Sequence, residues 1–182
     1  MRRILPFLAT VCLSPLALAP LSFAQNPPYP ANATFFTGDP PSLVKAATPD
    51  SEVNWPSSRY YFTFNLPTTS GESLGKVTIT PQPNPQTIVF VLNKTEAFQG
   101  TERQKGKKLT LKSTTLDPKS QAITVTFANP VPPGTTFTVV LETVRNPSLE
   151  GSYLFTIQAF PSGTDPIGID LGVGTFTFQR RF

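Results

Sequence analysis

The chain has no histidine, and its single cysteine, Cys12, and single methionine, Met1, both lie near the N-terminus. These absences exclude whole classes of chemistry. Ser-His-Asp and Cys-His nucleophile systems lack their imidazole, and with it goes the commonest general base near neutral pH. Soft and borderline metal sites need imidazole or sulfur ligands, so no metal and no cofactor are expected. Charge is sparse as well, with 15 basic residues against 11 acidic ones in 182. Long apolar runs are absent beyond the first two dozen residues, so no transmembrane segment is expected in the mature chain.

That first apolar run has the features of a secretory leader. Arg2 and Arg3 precede Ile4 to Leu21, and Ser22-Phe23-Ala24 puts small residues at the −3 and −1 positions of a cleavage site. Residues 1–24 are therefore expected to be a signal peptide, with export to the periplasm or cell envelope. Cleavage after Ala24 leaves 158 residues without cysteine, which must be stabilised by burial instead of disulfides. It also leaves 13 basic residues against 11 acidic ones. Nucleic acid is not an expected partner for an exported chain of such small net charge.

What is abundant is proline, 21 residues, and phenylalanine, 15 residues. Prolines and glycines separate short runs of Thr, Val, Ile and Phe, the texture of an all-β chain. In YYFTFNLP, Tyr60, Phe62, Phe64 and Leu66 share one face, the period-2 pattern of a half-buried strand. The alternation recurs around Val77, Leu109, Ile123, Phe137, Tyr153 and Phe176. IVFVL, Ile88–Leu92, is apolar on both faces and predicts a central strand. Residues 25–58 form a Pro-rich N-terminal segment with a peripheral strand at Ala33–Thr37 and a helical turn at Ser42–Ala46. Residues 59–182 form the β-sandwich domain, an immunoglobulin-like antiparallel sandwich of about eight strands.

Several phrases occur together in one order: AFQG at Ala97, ITVTF at Ile123, VPPGTT at Val131, RNP at Arg145, GSYLF at Gly151 and AFPSG at Ala159. In this combination the chain resembles the cyanobacterial family known as domain of unknown function 2808, from Phe35 to the final strand. The resemblance implies an exported cell-envelope protein with no assigned catalytic residues. The Pro-Gly turn and the following GSYLF strand are also similar to the last hairpin of small periplasmic copper-binding immunoglobulin-like proteins. Those bind copper through histidine, which this chain lacks.

Four segments are candidate sites. TERQKGKKLTLK carries Arg103, Lys105, Lys107, Lys108 and Lys112 against Glu102, with Gly106 marking a turn. It serves either as a hairpin rim guarding a sheet edge or as a contact for acidic envelope polysaccharide or another envelope protein. NWPSSRYY gathers Trp55, Tyr60 and Tyr61 beside Arg59, as a ring platform or as a cap over the core, with Tyr61 expected to be the exposed ring. Asp165 and Asp170 offer carboxylates for calcium but lack the spacing of a known loop. Arg145-Asn146-Pro147 ends the strand opened by VPPG. Asn146 is expected to bond its own backbone, and Arg145 to tie the corner to carbonyls or to Glu150.

A non-catalytic binding or structural module accounts for these features, with catalytic residues none. The alternative is a carbohydrate-active enzyme built on a carboxylate pair, the one hydrolytic mechanism that needs neither histidine nor cysteine. The terminal TFTFQRRF alternates like the last strand of a membrane barrel. Arg180 shares the face of Phe178, however, and the proline content suits closed membrane strands poorly.

Overall fold

The computed structural model describes residues 29–181; the leader expected over residues 1–24 lies outside them. Ten strands form in chain order: β1 (Ser42–Ala47), β2 (Arg59–Leu66), β3 (Leu74–Pro81), β4 (Glu96–Gly100), β5 (Lys105–Lys108), β6 (Leu111–Leu116), β7 (Ile123–Val131), β8 (Thr135–Glu142), β9 (Gly151–Pro161) and β10 (Ile169–Phe178). They make two antiparallel five-stranded sheets, ordered β1-β2-β8-β4-β5 and β10-β9-β3-β7-β6. The fold is thus an immunoglobulin-like β-sandwich, with ten strands where about eight are expected from the sequence.

The alternating residues face inward. Tyr60, Phe62, Phe64 and Leu66 of β2 and Phe137, Val139 and Leu141 of β8 are fully buried against Tyr153, Phe155, Phe176 and Phe178 of the other sheet. Tyr60 stacks on Phe176 with ring centroids 4.6 Å apart, and Phe62 meets Phe155 edge-on at 6.0 Å. Each such ring contributes on the order of 2 kcal/mol by leaving water. The turn at Pro132–Gly134 sends the chain from β7 to β8 in the opposite sheet. There Gly134 adopts φ +79°, a value that L side chains rarely reach, and its N–H bonds Leu66 O at 2.8 Å.

Three local expectations are corrected. Ser42–Ala46 is not a helical turn but belongs to β1, which pairs with β2 between bracketing prolines. The peripheral strand expected at Ala33–Thr37 reduces to one parallel bridge, Thr34 to Pro166. Ile88–Leu92 is not a central strand. Pro81, Pro83 and Pro85 lead the chain out of the ladder, and the segment crosses between sheets with one bridge, Phe90 to Thr143, before a 3-10 turn at Leu92–Lys94. Its two apolar faces divide between the core end, where Phe90 packs, and solvent, where Val89 is 61% exposed.

The two sheets meet at both margins of the sandwich. On one side the chain itself passes from β5 to β6, with Leu109 N–H bonding Ala97 O and Ala128 N–H bonding Thr110 O. On the other, β1 packs against β10, and a Cβ at Gly174 would lie 2.9 Å from the Ala46 Cβ. Only glycine allows this close an approach between the two strands. Gly174→Ala is expected to lower the stability measured by urea unfolding by roughly 1–3 kcal/mol through overpacking. Adding Ala46→Gly should recover part of that loss; simple additivity of the two effects would refute the contact.

Candidate functional site

β8 runs out at Glu142, and the chain must turn before β9 without leaving buried amides unpaired. Asn146 solves this problem with its side chain. Only 2% exposed, it donates from Nδ2 to the carbonyls of Asp50 (2.7 Å) and Glu52 (2.9 Å) and accepts the Tyr60 hydroxyl at Oδ1 (3.0 Å). Its backbone N–H bonds Trp55 O at 2.8 Å, and Pro147 O accepts the Asn54 N–H. Asn146 therefore ties the corner to the Asp50–Trp55 loop and to Tyr60 of β2, both distant from it in sequence, instead of bonding its own backbone as expected. Pro147 is buried and has no N–H to leave unpaired.

Arg145 does not tie the corner. Its side chain is exposed and forms no ion pair or side-chain hydrogen bond among the described residues. Glu150, the expected partner, instead lies 3.4 Å from the Arg180 Nε and accepts the Arg180 N–H. The reason is geometric: the C-terminal end beyond β10 runs beside Glu150, whereas the Arg145 backbone bridges to Pro56.

The loop fixed by Asn146 carries Trp55. Asn54 and Ser57 on either side of it have φ near +60° and +53°, a left-handed conformation that costs energy for non-glycine residues. The indole is 43% exposed and lines a cleft of about 260 Å³ with Asp50, Glu52, Gln179, Arg180 and Arg181. The arrangement offers a flat ring, two carboxylates and two guanidinium groups, so a polar ligand with an apolar face suits it. Trp55, and not Tyr61, is the exposed ring. Tyr60 is part of the core, and burial pushes its hydroxyl well above the usual tyrosine range, with Tyr153 adding to the shift.

The basic segment lies elsewhere. Its turn is at Thr101–Gln104, not at Gly106, which is inside β5. Gly100 O accepts the Thr138 hydroxyl at 2.7 Å, so the hairpin folds onto the outer face of the first sheet. Lys105 sits 5.9 Å from the Tyr61 ring centroid and 5.3 Å from that of Phe98. Glu102 is engaged by Lys45 at 2.9 Å and touches Arg103 at 4.0 Å. Lys107 and Lys108 are exposed, with no acidic partner among the described residues. Tyr61 thus belongs with the basic hairpin and not with Trp55. Sequence proximity suggested the opposite grouping, and the partners that Trp55 does have, Gln179 to Arg181, come from the far end of the chain.

Asp165 accepts from the Asn32 side chain and Asp170 from the Gly172 N–H, so local bonds already engage both. Among the described residues, no group of three or more Cys, Asp or Glu side chains is placed to hold a metal ion.

Asn146→Ala should leave the Tyr60 hydroxyl and the Glu52 carbonyl without their partner, and the Asp50 carbonyl with only the long bond from the Thr48 hydroxyl (3.4 Å). We expect it to cost about 3 kcal/mol or more in chemical denaturation, against less than about 0.5 for Arg145→Ala. Equal effects would mean that the corner is held some other way. The folded state also favours neutral Tyr60 and Tyr153, both of whose hydroxyls are raised by burial. A raised folded value means that this stabilisation is complete below the unfolded tyrosine value of about 10 and is lost as pH climbs beyond it. In an absorbance titration the Tyr60 hydroxyl should ionise only as the protein unfolds, and that of Tyr153 later than a free tyrosine.

Among curated proteins, none matches this sequence. Solved structures resemble it in architecture. The chain is similar to the collagen-binding domain of a Staphylococcus aureus adhesin, with 11% identity, a TM-score of 0.40 and coverage of 75% of this chain and 96% of that one. It is also similar to BslA, a bacterial hydrophobin, at 15% identity, TM-score 0.48 and coverage of 80% and 98%. An uncharacterised protein from Nocardia farcinica with an immunoglobulin-like fold matches at 18% identity, TM-score 0.43 and coverage of 74% and 96%. In sequence, a family model described as protein of unknown function (DUF2808) matches residues 33–178, the full span from the Thr34 bridge to the last residue of β10. The chain belongs to the DUF2808 family.

Proposed function

We propose that this protein is a non-catalytic binding module, exported by its N-terminal leader to the periplasm or cell envelope of a cyanobacterium, where its basic hairpin engages acidic envelope polysaccharide. One observation carries this assignment: Lys107 and Lys108 are exposed on a hairpin whose acidic residue, Glu102, is already engaged by Lys45. The hairpin is also firmly seated, because Lys105 lies over two rings and Thr138 holds Gly100. Lysines on a fixed support attract a polyanion without first having to order the backbone, and such attraction weakens as salt rises. Among the described residues, no helix is long and apolar enough to cross a membrane.

A second reading rests on the Trp55 cleft. Asp50 and Glu52 line it together, and a carboxylate pair is sufficient for glycoside hydrolysis. One experiment separates the two. The mature protein is passed over immobilised alginate and eluted with salt, and the bound glycan is assayed for new reducing ends. The wild type should be retained, and the Lys107→Glu/Lys108→Glu double variant should elute at clearly lower salt with its thermal midpoint unchanged. Retention that survives the double variant would overturn the hairpin assignment and direct attention to another envelope protein as partner. Reducing ends that appear with the wild type and vanish with Asp50→Asn would establish the enzyme instead.

A further inference from the structure

A further cavity of the sandwich belongs to neither of these places. It has a volume of about 390 Å³ and lies between the proline-rich segment after β3 and the hairpin joining β6 to β7. That volume falls within the ordinary range for small-ligand sites.

Its walls have a distinctive chemistry. None of the residues lining it is charged. An ionic ligand would give up part of its hydration there and find no counter-charge, which is unfavourable. One side is apolar: Ile88, Phe90 and Leu92 are half-buried, and Leu116 is 43% exposed. The other side carries amides. Gln82 donates through Nε2 to the Thr156 hydroxyl, Gln86 accepts at Oε1 from Ser148 N–H (2.9 Å) and its hydroxyl (3.0 Å), and Gln121 donates through Nε2 to Pro118 O (3.0 Å). Each amide is fixed by one end. The other ends, Gln82 Oε1, Gln86 Nε2 and Gln121 Oε1, have no partner among the described residues.

The wall between them is stiff. Asn84 faces Leu154 with both ends of its amide, accepting its N–H at 2.8 Å and donating to its carbonyl at 3.2 Å, so a side chain takes the place of a neighbouring strand. Pro81 and Pro83 line the cavity and have no N–H, which prevents an incoming peptide from extending the sheet along this wall. A ligand with an apolar face on one side and uncharged donors and acceptors around its rim matches what is left. A pyranose ring has this pattern, with C–H groups on its face and hydroxyls at its edge.

We propose that this cavity binds one sugar unit of an uncharged glycan, with the ring against Phe90 and Leu116 and the hydroxyls on Gln82, Gln86 and Gln121. The site is independent of the basic hairpin and takes the opposite class of glycan. It is tested by titrating the 15N-labelled mature protein with maltotetraose and with cellotetraose, following the side-chain amide signals, with trigalacturonate as the charged comparison. At least one neutral tetrasaccharide should shift the Gln82, Gln86 and Gln121 amides saturably. Thr87→Arg, at an exposed lining position with no hydrogen bond to lose, should weaken that binding about tenfold or more while the thermal midpoint stays unchanged. Absence of shifts with both neutral tetrasaccharides would overturn the proposal, as would equal shifts with trigalacturonate. Binding unaffected by Thr87→Arg but abolished by Lys107→Glu/Lys108→Glu would place the glycan on the hairpin and overturn it too.

Discussion

The buried carboxamide of Asn146 is the interaction on which the loop end of the sandwich depends. It is desolvated, and it faces the buried Tyr60 hydroxyl and two half-buried carbonyls. In such surroundings a bond is stronger than in water, and breaking it leaves the buried amide and the Tyr60 hydroxyl without recourse. The contact is therefore close to all-or-none. With it in place, the strand ending at Glu142, the inward ring of Tyr60 and the loop from Asp50 to Trp55 form one unit. The exposed indole owes its position to a side chain that no ligand in the Trp55 cleft would touch.

Two kinds of surface result. The loop end holds the Trp55 cleft and the uncharged cavity, both framed by irregular backbone that is fixed through side-chain amides. The outer face of the first sheet holds the basic hairpin, fixed through Thr138 and the rings of Tyr61 and Phe98. In each case the side chains that hold the backbone differ from those left facing solvent. That division allows Lys107, Lys108 and Trp55 to be exposed without loss of order, and it limits the entropy cost of engaging a partner.

Much of the sandwich is legible in the sequence because burial on one face enforces a period of two. The core residues of β2, β3, β7, β8, β9 and β10 stand out for that reason. Where the period carries no such constraint, the sequence misleads. Ile88–Leu92 is apolar throughout because it crosses the end of the core, a role that local pattern does not separate from a central strand. SLVKAA forms an edge strand with a register shift after Leu43, so its alternation is blurred. Gly106 lies in a strand because the hairpin turns earlier, at Thr101. The candidate sites show the same limit. Trp55 is identifiable by residue type alone, but its cleft is completed by Gln179 to Arg181, and the amides of the neutral cavity read as parts of a loop. These neighbours are set by tertiary contact between distant segments, which local patterning does not encode.

The seam between β1 and β10 also bears on the order in which the fold can assemble. It joins the first described strand to the last, and Phe176 and Phe178 stack on Tyr60 while Phe176 also meets Phe62 edge-on. A growing chain that has delivered nine strands still has an incomplete core, with the apolar wall beneath β1 open to water. Local contacts cannot compensate, because the missing partners are the most distant in sequence, a topology that favours slow folding. The core is therefore completed only when the final strand docks, and until then the open wall is a hazard for association. Whatever keeps the incomplete chain from aggregating must act until the segment around Gly174 has met Ala46.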